Sequence, residues 1–317
     1  MKTAAEILAA FDNIRRAQNA GVYAPHKPLL ILLALARVQR GEPRLVDFND
    51  IEGPLKRLLV EFGRSGSANT RHLPFWHLRS DGQGAIWKLS GPRELLARPA
   101  ATAPNLGELR LNHVRGGFPI AVDKALREQP GLLEAVAAQV MDAAFPETLH
   151  ADIAAAVGLS LDRSTIIMAG ERTAPAYVQS EHRHRDPGFR ERVLRAYEYR
   201  CCVCGFDLRI GQVSAGLEAA HIQWHNVGGP DVEPNGLSLC SLHHKLFDLG
   251  AFTVEPSEFR VVFSQQAIGS QRGRDGELRH HGRPILPPQQ RDMLPAPQYL
   301  GWNFKNVFKT PARRVGG

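Results

Sequence analysis

Apolar positions in the first 160 residues recur at helical spacing. In residues 5–19, Ile7, Leu8, Phe11 and Ile14 share one face. The stretch APHKPLLILLALARVQRG predicts a second helix, with Pro28 near its first turn and Gly41 past its end. DFNDIEGPLKRLLVEFG predicts a third, with Leu55, Leu58, Leu59 and Phe62 in phase. LPFWHL and AIWKL then read as two strands joined by a glycine-containing turn. Three helices followed by a β-hairpin give a winged-helix-like arrangement, a form that often reads DNA. LNHVRGGFP reads as a Gly-Gly loop flanked by Asn112, His113 and Arg115, and helical periodicity fills residues 105–160 in VDKALREQPGLLEAVAAQVMDAAF.

From 161 to 186 the periodicity stops, and AGERTAPAYVQSEHRHRDPG has the polar composition of a linker. The expected organisation is therefore a mainly helical domain at 1–160, a linker at 161–186 and a second domain at 187–317. The second domain opens on a short helix, FRERVLRAYEYR. LEAAHI and LSLC then predict two strands around the loop GGPDVEPNG, and SLHHKLFDLG predicts a helix ending at Gly250. After residue 265 the chain is rich in Gly, Pro, Arg and Gln, with aromatic residues at Tyr299, Trp302, Phe304 and Phe308. No internal repeat is evident. The fold class expected is α+β.

Composition narrows the function classes only modestly. At 43% hydrophobic residues the 317-residue chain can bury a sizeable core in each of two domains. No apolar run approaches the roughly 20 residues of a membrane span, and the first residues lack the apolar core of a signal peptide. The net charge of +7 is split between +3 in residues 1–160 and +4 in the remainder. Such a spread permits nucleic-acid binding without establishing it. Of the four cysteines, Cys201, Cys202 and Cys204 lie within four residues and Cys240 follows. A disulfide framework would spread them, so metal ligation in a reducing cytoplasm fits better.

Cys201 and Cys204 form one ligand-x2-ligand knuckle, and Cys240 and His243 form another. Four soft or borderline donors in this spacing suit a tetrahedral structural Zn²⁺. Cys202 is left over and is expected in the core. The zinc is thus expected to brace a strand–loop–strand–helix unit, and within that unit the residue types become specific. The stretch EAAHI…GGP…NGLSLC…HHKLFD, at about 199–252, resembles the HNH (ββα-metal) nuclease modules of bacterial restriction enzymes. The resemblance implies that His221 is the general base, that Asn235 orients the loop holding it, and that His244 binds a catalytic divalent cation. A neutral imidazole can take a proton from water near pH 7, and a cation offsets the charge developing on the phosphate. Many relatives place Asp or His immediately before the base, where this chain has Ala220. Asp248, one helical turn after His244, is the preferred substitute. Glu218, on the same strand face as Ala220, is the next, and His225 a third. Imidazole and carboxylate together would accept Mg²⁺, Mn²⁺ or Co²⁺.

APHKPLLILLALARV, followed by LPFWHL and then a GGF loop, resembles the sulfur-binding domain of restriction enzymes that attack phosphorothioated DNA; the resemblance covers about 5–160. It implies an apolar wall at Leu73 and Pro74, since sulfur is softer and less hydrated than oxygen. His26 and Lys27, at the start of a helix, would hold neighbouring phosphate or base edges, Arg71 and His77 would flank the wall, and Arg115, Gly116 and Gly117 would form a loop close to DNA. The family usually has Tyr before the matching proline; here it is Leu73. The whole chain thus resembles a bacterial, cytoplasmic, type IV-like restriction endonuclease acting on double-stranded DNA, with two cuts per duplex implying a homodimer. The rival readings are an HNH endonuclease for methylated or unmodified DNA, and a zinc-stabilised DNA-binding protein without catalysis.

Overall fold

The structure is a computed structural model that describes residues 3–12, 14, 24–99, 102–161, 186–211 and 213–314. The chain forms two compact units, one in the described residues up to 161 and one in those from 186 onward. Apart from Ile14 and the end residues Leu161 and Asp186, the continuation of the first helix past Asp12 and the expected linker fall outside the described residues.

The first unit comprises helices α1 (Ala4–Asp12), α2 (His26–Gln39), α3 (Phe48–Phe62), α4 (His72–His77), α5 (Arg93–Leu96), α6 (Leu106–Leu111), α7 (Ile120–Glu128), α8 (Leu132–Ala144) and α9 (Glu147–Val157). It also holds a small sheet of β1 (Val46–Asp47), β2 (Lys88–Ser90) and β3 (Arg115–Gly117), in the order β1-β3-β2. Helix α2 is apolar all round and is buried from Pro28 to Ala36 and again at Val38, as such a helix must be. It packs against α3, α4, α7, α8 and α9 and forms the centre of the unit. Asp47 caps α3 by accepting from the Asn49 backbone N–H at 2.9 Å, and Leu55, Leu58, Leu59 and Phe62 turn inward as their spacing requires.

The expected β-hairpin, and with it the winged-helix-like arrangement, is absent. LPFWH lies in helix α4, a 3-10 segment follows over Leu78–Gly84, and of the second predicted strand only Lys88 and Leu89 are extended, within β2. Strand alternation would point Phe75 away from Pro74 and Trp76, yet all three are buried. Proline also suits the first turn of a helix. The fold is set by an aromatic chain: Phe75 meets Phe48 at 5.1 Å and Trp87 at 5.7 Å, both edge-on, and Trp87 meets Phe118 at 6.0 Å.

The expected Gly-Gly loop is likewise a strand. Gly116 sits opposite Val46 on one side and Leu89 on the other, at the centre of the sheet. A Cβ on Gly116 would fall 2.7 Å from the Phe75 ring and 2.8 Å from Trp87, and one on Gly117 would fall 2.0 Å from the Arg44 carbonyl oxygen. Gly116 is needed because only bare backbone fits over the aromatic chain, and Gly117 because it passes directly against the Arg44 backbone.

The second unit contains α10 (Phe189–Ala196), β4 (Arg209–Ile210), β5 (Val213–Ser214), β6 (Leu217–His221), β7 (Gly236–Cys240), α11 (Ser241–Asp248), β8 (Phe252–Val254), β9 (Val261–Phe263), α12 (Gln271–Leu278) and α13 (Pro297–Asn306). Strands β6 and β7 pair antiparallel, with Leu217 opposite Cys240 and His221 opposite Gly236. The predicted strand–loop–strand–helix order is present. Phe189 and Val193 of α10, Leu217 and Ala220 of β6, Leu237 and Leu239 of β7 and Phe247 of α11 share one core with Phe252 and Phe263. Of the aromatic tail, Tyr299 packs against this core, Trp302 meets Trp224 edge-on at 5.8 Å, Phe308 is buried and Phe304 is exposed. No helix among the described residues is long and apolar enough to cross a membrane.

Candidate active site

Cys201, Cys204, Cys240 and His243 converge, with one donor atom from each within 4.8 Å of all the others. Two local structures bring them together. The first knuckle is a tight turn in which the Gly205 N–H donates to the Cys201 carbonyl at 2.8 Å, with Gly205 at φ +77. In the second, Cys240 is the N-cap of α11 and His243 lies in the first turn, so two intervening residues put both donors on one side. His243 Nδ1 is 3.1 Å from Cys240 Sγ and 3.7 Å from Cys201 Sγ, and the Cys204 and Cys240 sulfurs are 4.0 Å apart. A tetrahedral zinc with bonds of about 2.0–2.3 Å would separate its donors by roughly 3.5–3.8 Å, so the cluster fits that ion. The other ring nitrogen of His243 is 3.0 Å from Glu277 Oε2, which places a carboxylate beside the ring. Hydrogen bonds from its sulfur neighbours hold Cys201 down to about 3 and push Cys204 up, so one thiolate is favoured even before a cation arrives. Cys202 points into the core, and burial pushes its thiol up.

His244, one residue further along α11, faces a different group. Its Nδ1 is 2.6 Å from Glu218 Oε2, and its Nε2 is 3.3 Å from Asp248 Oδ2. Asp248 also accepts from Trp224 Nε1 at 3.0 Å, and Glu218 accepts from the Ser241 hydroxyl at 2.9 Å. Burial of the ring opposes its charge, but the Asp248 and Glu218 carboxylates outweigh this and raise His244 to about 9. The hydrogen bond with His244 in turn keeps Glu218 below the usual carboxylate value. A positively charged group is thus favoured between two carboxylates. Their exposure differs: the Asp248 side chain is 1% accessible and that of Glu218 is 41%.

His221 ends β6 and stacks on Phe189 at 4.1 Å, with Nε2 2.7 Å from Asp231 Oδ1. Asn235, fully buried, clamps the intervening loop. Its amide donates to the Gln223 carbonyl at 3.0 Å and the Pro230 carbonyl at 2.9 Å, and its oxygen accepts from the Gln223 N–H at 2.8 Å. His225 faces Asp231 as well, with Nε2 3.6 Å from Oδ2. Asp231 and Trp224 escaped the sequence reading, because loop residues carry no periodicity. The available signal was a pair of loop carboxylates, Asp231 and Glu233, between His221 and Asn235.

In the first unit the expected DNA-contacting residues separate into two groups. Lys27 donates to buried Asp81 at 2.7 Å, and Arg71 donates to Glu52 at 2.7 Å, where Arg110 also binds at 2.6 Å. Pro74, Gly116 and Gly117 are buried. His26, Leu73 and His77 are part-exposed and Arg115 is exposed. His26 Nε2 lies 2.9 Å from the Ser67 carbonyl. Burial is the main cause holding both His26 and His77 below the ordinary imidazole value.

Residues 4–162 match the ScoMcrA-like DNA sulfur-binding domain family, and residues 201–255 match an HNH endonuclease family. Among solved structures, the sulfur-binding domain of ScoMcrA complexed with phosphorothioated DNA shares 22% identity, with 52% of this chain and 99% of that chain covered, at a TM-score of 0.43. The sulfur-binding domain of SprMcrA, also complexed with phosphorothioated DNA, shares 20%, with 50% and 95% covered, at 0.42. The type IV phosphorothioation-dependent restriction endonuclease ScoMcrA shares 22%, at 0.38; the match covers 48% of this chain and only 28% of that longer enzyme. No curated protein matches the chain.

Proposed function

From the premise that this chain belongs to the ScoMcrA-like DNA sulfur-binding family and carries an HNH endonuclease domain, we propose that it is a type IV-like modification-dependent restriction endonuclease. Residues 1–160 read phosphorothioated double-stranded DNA, 161–186 link the domains, and 187–317 hydrolyse phosphodiesters. One observation carries the reading. His221 and His244 stand on adjoining elements of an HNH fold, each with its own carboxylate partners, beside a four-donor cluster that fits zinc.

His221 takes the proton of the attacking water, and Asn235 holds the loop that shapes its surroundings. Cys201, Cys204, Cys240 and His243 would hold structural Zn²⁺. His244 would hold a divalent cation, whether Mg²⁺, Mn²⁺ or Co²⁺, which would supply charge to offset that developing on the phosphate and the leaving oxygen. Glu218 and Asp248 face opposite nitrogens of the His244 ring, so one cation does not take both through it. We assign the ligand role to the accessible Glu218 with Nδ1, and to the buried Asp248 the orientation of the ring from Nε2. For DNA contact, the surface-facing His26, Leu73, His77 and Arg115 form the reading set. Lys27, Arg71, Pro74, Gly116 and Gly117 support it from behind. A homodimer would supply the two cuts a duplex needs.

The test is cleavage of matched phosphorothioated and plain duplexes with Mn²⁺. Cutting confined to the modified duplex is expected. Equal cutting of both, or of neither, overturns the sulfur-dependent reading.

A further inference from the structure

Asp231 has no role in the assignments above, yet it is the most tightly placed carboxylate near the base. Its Oδ1 is 2.7 Å from His221 Nε2, and its Oδ2 accepts from the Asp186 backbone N–H at 2.7 Å. The peptides on both sides are fixed. Asn235 donates to the Pro230 carbonyl at 2.9 Å, and Arg192 donates to the Asp231 carbonyl at 2.9 Å. Arg192 is itself anchored by Glu233 at 2.6 Å and Asp186 at 2.7 Å. Burial disfavours the Asp231 charge, but the Asp186 N–H and the His221 contact more than offset it and keep the carboxyl below its usual value.

An ionised carboxylate only accepts hydrogen bonds. At 2.7 Å, therefore, His221 Nε2 must be the donor, and a neutral ring that donates from Nε2 has its lone pair on Nδ1. Phe189, stacked within 20° of parallel, fixes the ring plane. We infer that Asp231 is a positioning residue that locks His221 in the Nε2–H tautomer, so that Nδ1 is the nitrogen that deprotonates water. The inference rests on the reading of His221 as the base. In the step, Nδ1 takes the water proton and the hydroxide oxygen bonds to phosphorus. The leaving oxygen departs with the electron pair of the broken P–O bond and is protonated by solvent. Asp231 stays ionised throughout and stabilises the imidazolium that forms, as the orienting acid of a catalytic triad does. Asn235 then acts one step further back, by holding the Pro230–Asp231 peptide in place.

The experiment uses the full chain, zinc-loaded, with a phosphorothioated plasmid and Mn²⁺. Asp231→Asn keeps the size and removes the charge. It is expected to lower kcat by about 100-fold or more while KM for DNA stays within about twofold. In a His221→Ala background the same change should add less than about twofold, because Asp231 acts only through that ring. Nitrogen-15 spectra of histidine-labelled wild-type protein should show His221 as the Nε2–H tautomer, which needs no variant to fold. Wild-type kcat in Asp231→Asn, an equal loss in both backgrounds, or an Nδ1–H tautomer overturns the inference. If His221→Ala itself cuts at the wild-type rate, the reading of the base fails. An inactive His221→Ala beside a fully active Asp231→Asn removes only the positioning role.

Discussion

His244 lies between two carboxylates that favour a positive charge at its ring. With the carboxylates of Asp248 and Glu218 on either side, it is raised to about 9 from an ordinary 6.5. In the metal-free protein this pairing stabilises the fold fully below the unfolded value and is lost as pH rises through about 9. A divalent ion must displace the same proton. Apparent Mn²⁺ affinity should therefore climb by about tenfold per pH unit from 7 toward 9 and then level. Calorimetry in buffers of different ionisation enthalpy should register close to one proton released per Mn²⁺ at pH 7; affinity that is flat with pH would place the cation elsewhere. The two carboxylates should also separate. Asp248→Asn, which leaves Trp224 a partner, should weaken Mn²⁺ binding by about 10–100-fold, and Glu218→Gln should weaken it more. The reverse order would make Asp248 the ligand, as the helical spacing alone suggests.

At the scale of elements, the sheet of the first unit depends on what is missing from β3. Gly116→Ala puts a methyl 2.7 Å from the Phe75 ring, and the buried Trp87 beside it leaves little room to yield. Overpacking of this kind costs about 1–3 kcal/mol. Thermal unfolding of the first unit should shift down accordingly while the second unit melts unchanged; an unaltered Tm would mean the aromatic chain gives way freely. The misread elements lie in this same region. Helix α2 was legible because Pro28 and Gly41 bound a long apolar run, and α3 because 15 residues give periodicity room to declare itself. The six residues of α4 do not, and β-prone Phe and Trp tipped LPFWHL toward a strand. What decides the matter is tertiary: Phe75 packs edge-to-face on Phe48 and Trp87, and Trp87 on Phe118, across separate elements. In the second unit β6, β7 and α11 were legible for another reason, since their chemistry fixes residue types as well as polarity. Asp231 was not, because a loop carboxylate announces its partner only once the loop is closed by Asn235.

Across the whole molecule, the two compact units have separate cores, and each should fail separately. The order of a helical reader followed by an HNH module was legible from motif and composition. The dependence of the second unit on its metal follows from where the cluster sits. Cys201 and Cys204 lie just after α10, Cys240 caps α11, and His243 immediately precedes His244. A zinc ion held there would therefore tie the start of the core to the helix that carries the proposed cation site at His244. Structural zinc contributes about 10–16 kcal/mol in small domains, comparable to the about 5–15 kcal/mol that holds a domain folded. Removing it should thus unseat α11 rather than merely soften it. Cys240→Ser, or prolonged chelation of the wild type, should abolish the calorimetric transition of the second unit or lower it steeply. Cleavage should disappear with it. The transition of the first unit, and its binding of phosphorothioated duplex, should persist. A Cys240→Ser protein that retains one equivalent of zinc and both transitions would show that three donors suffice. Loss of both transitions together would show that the first unit does not stand on its own core.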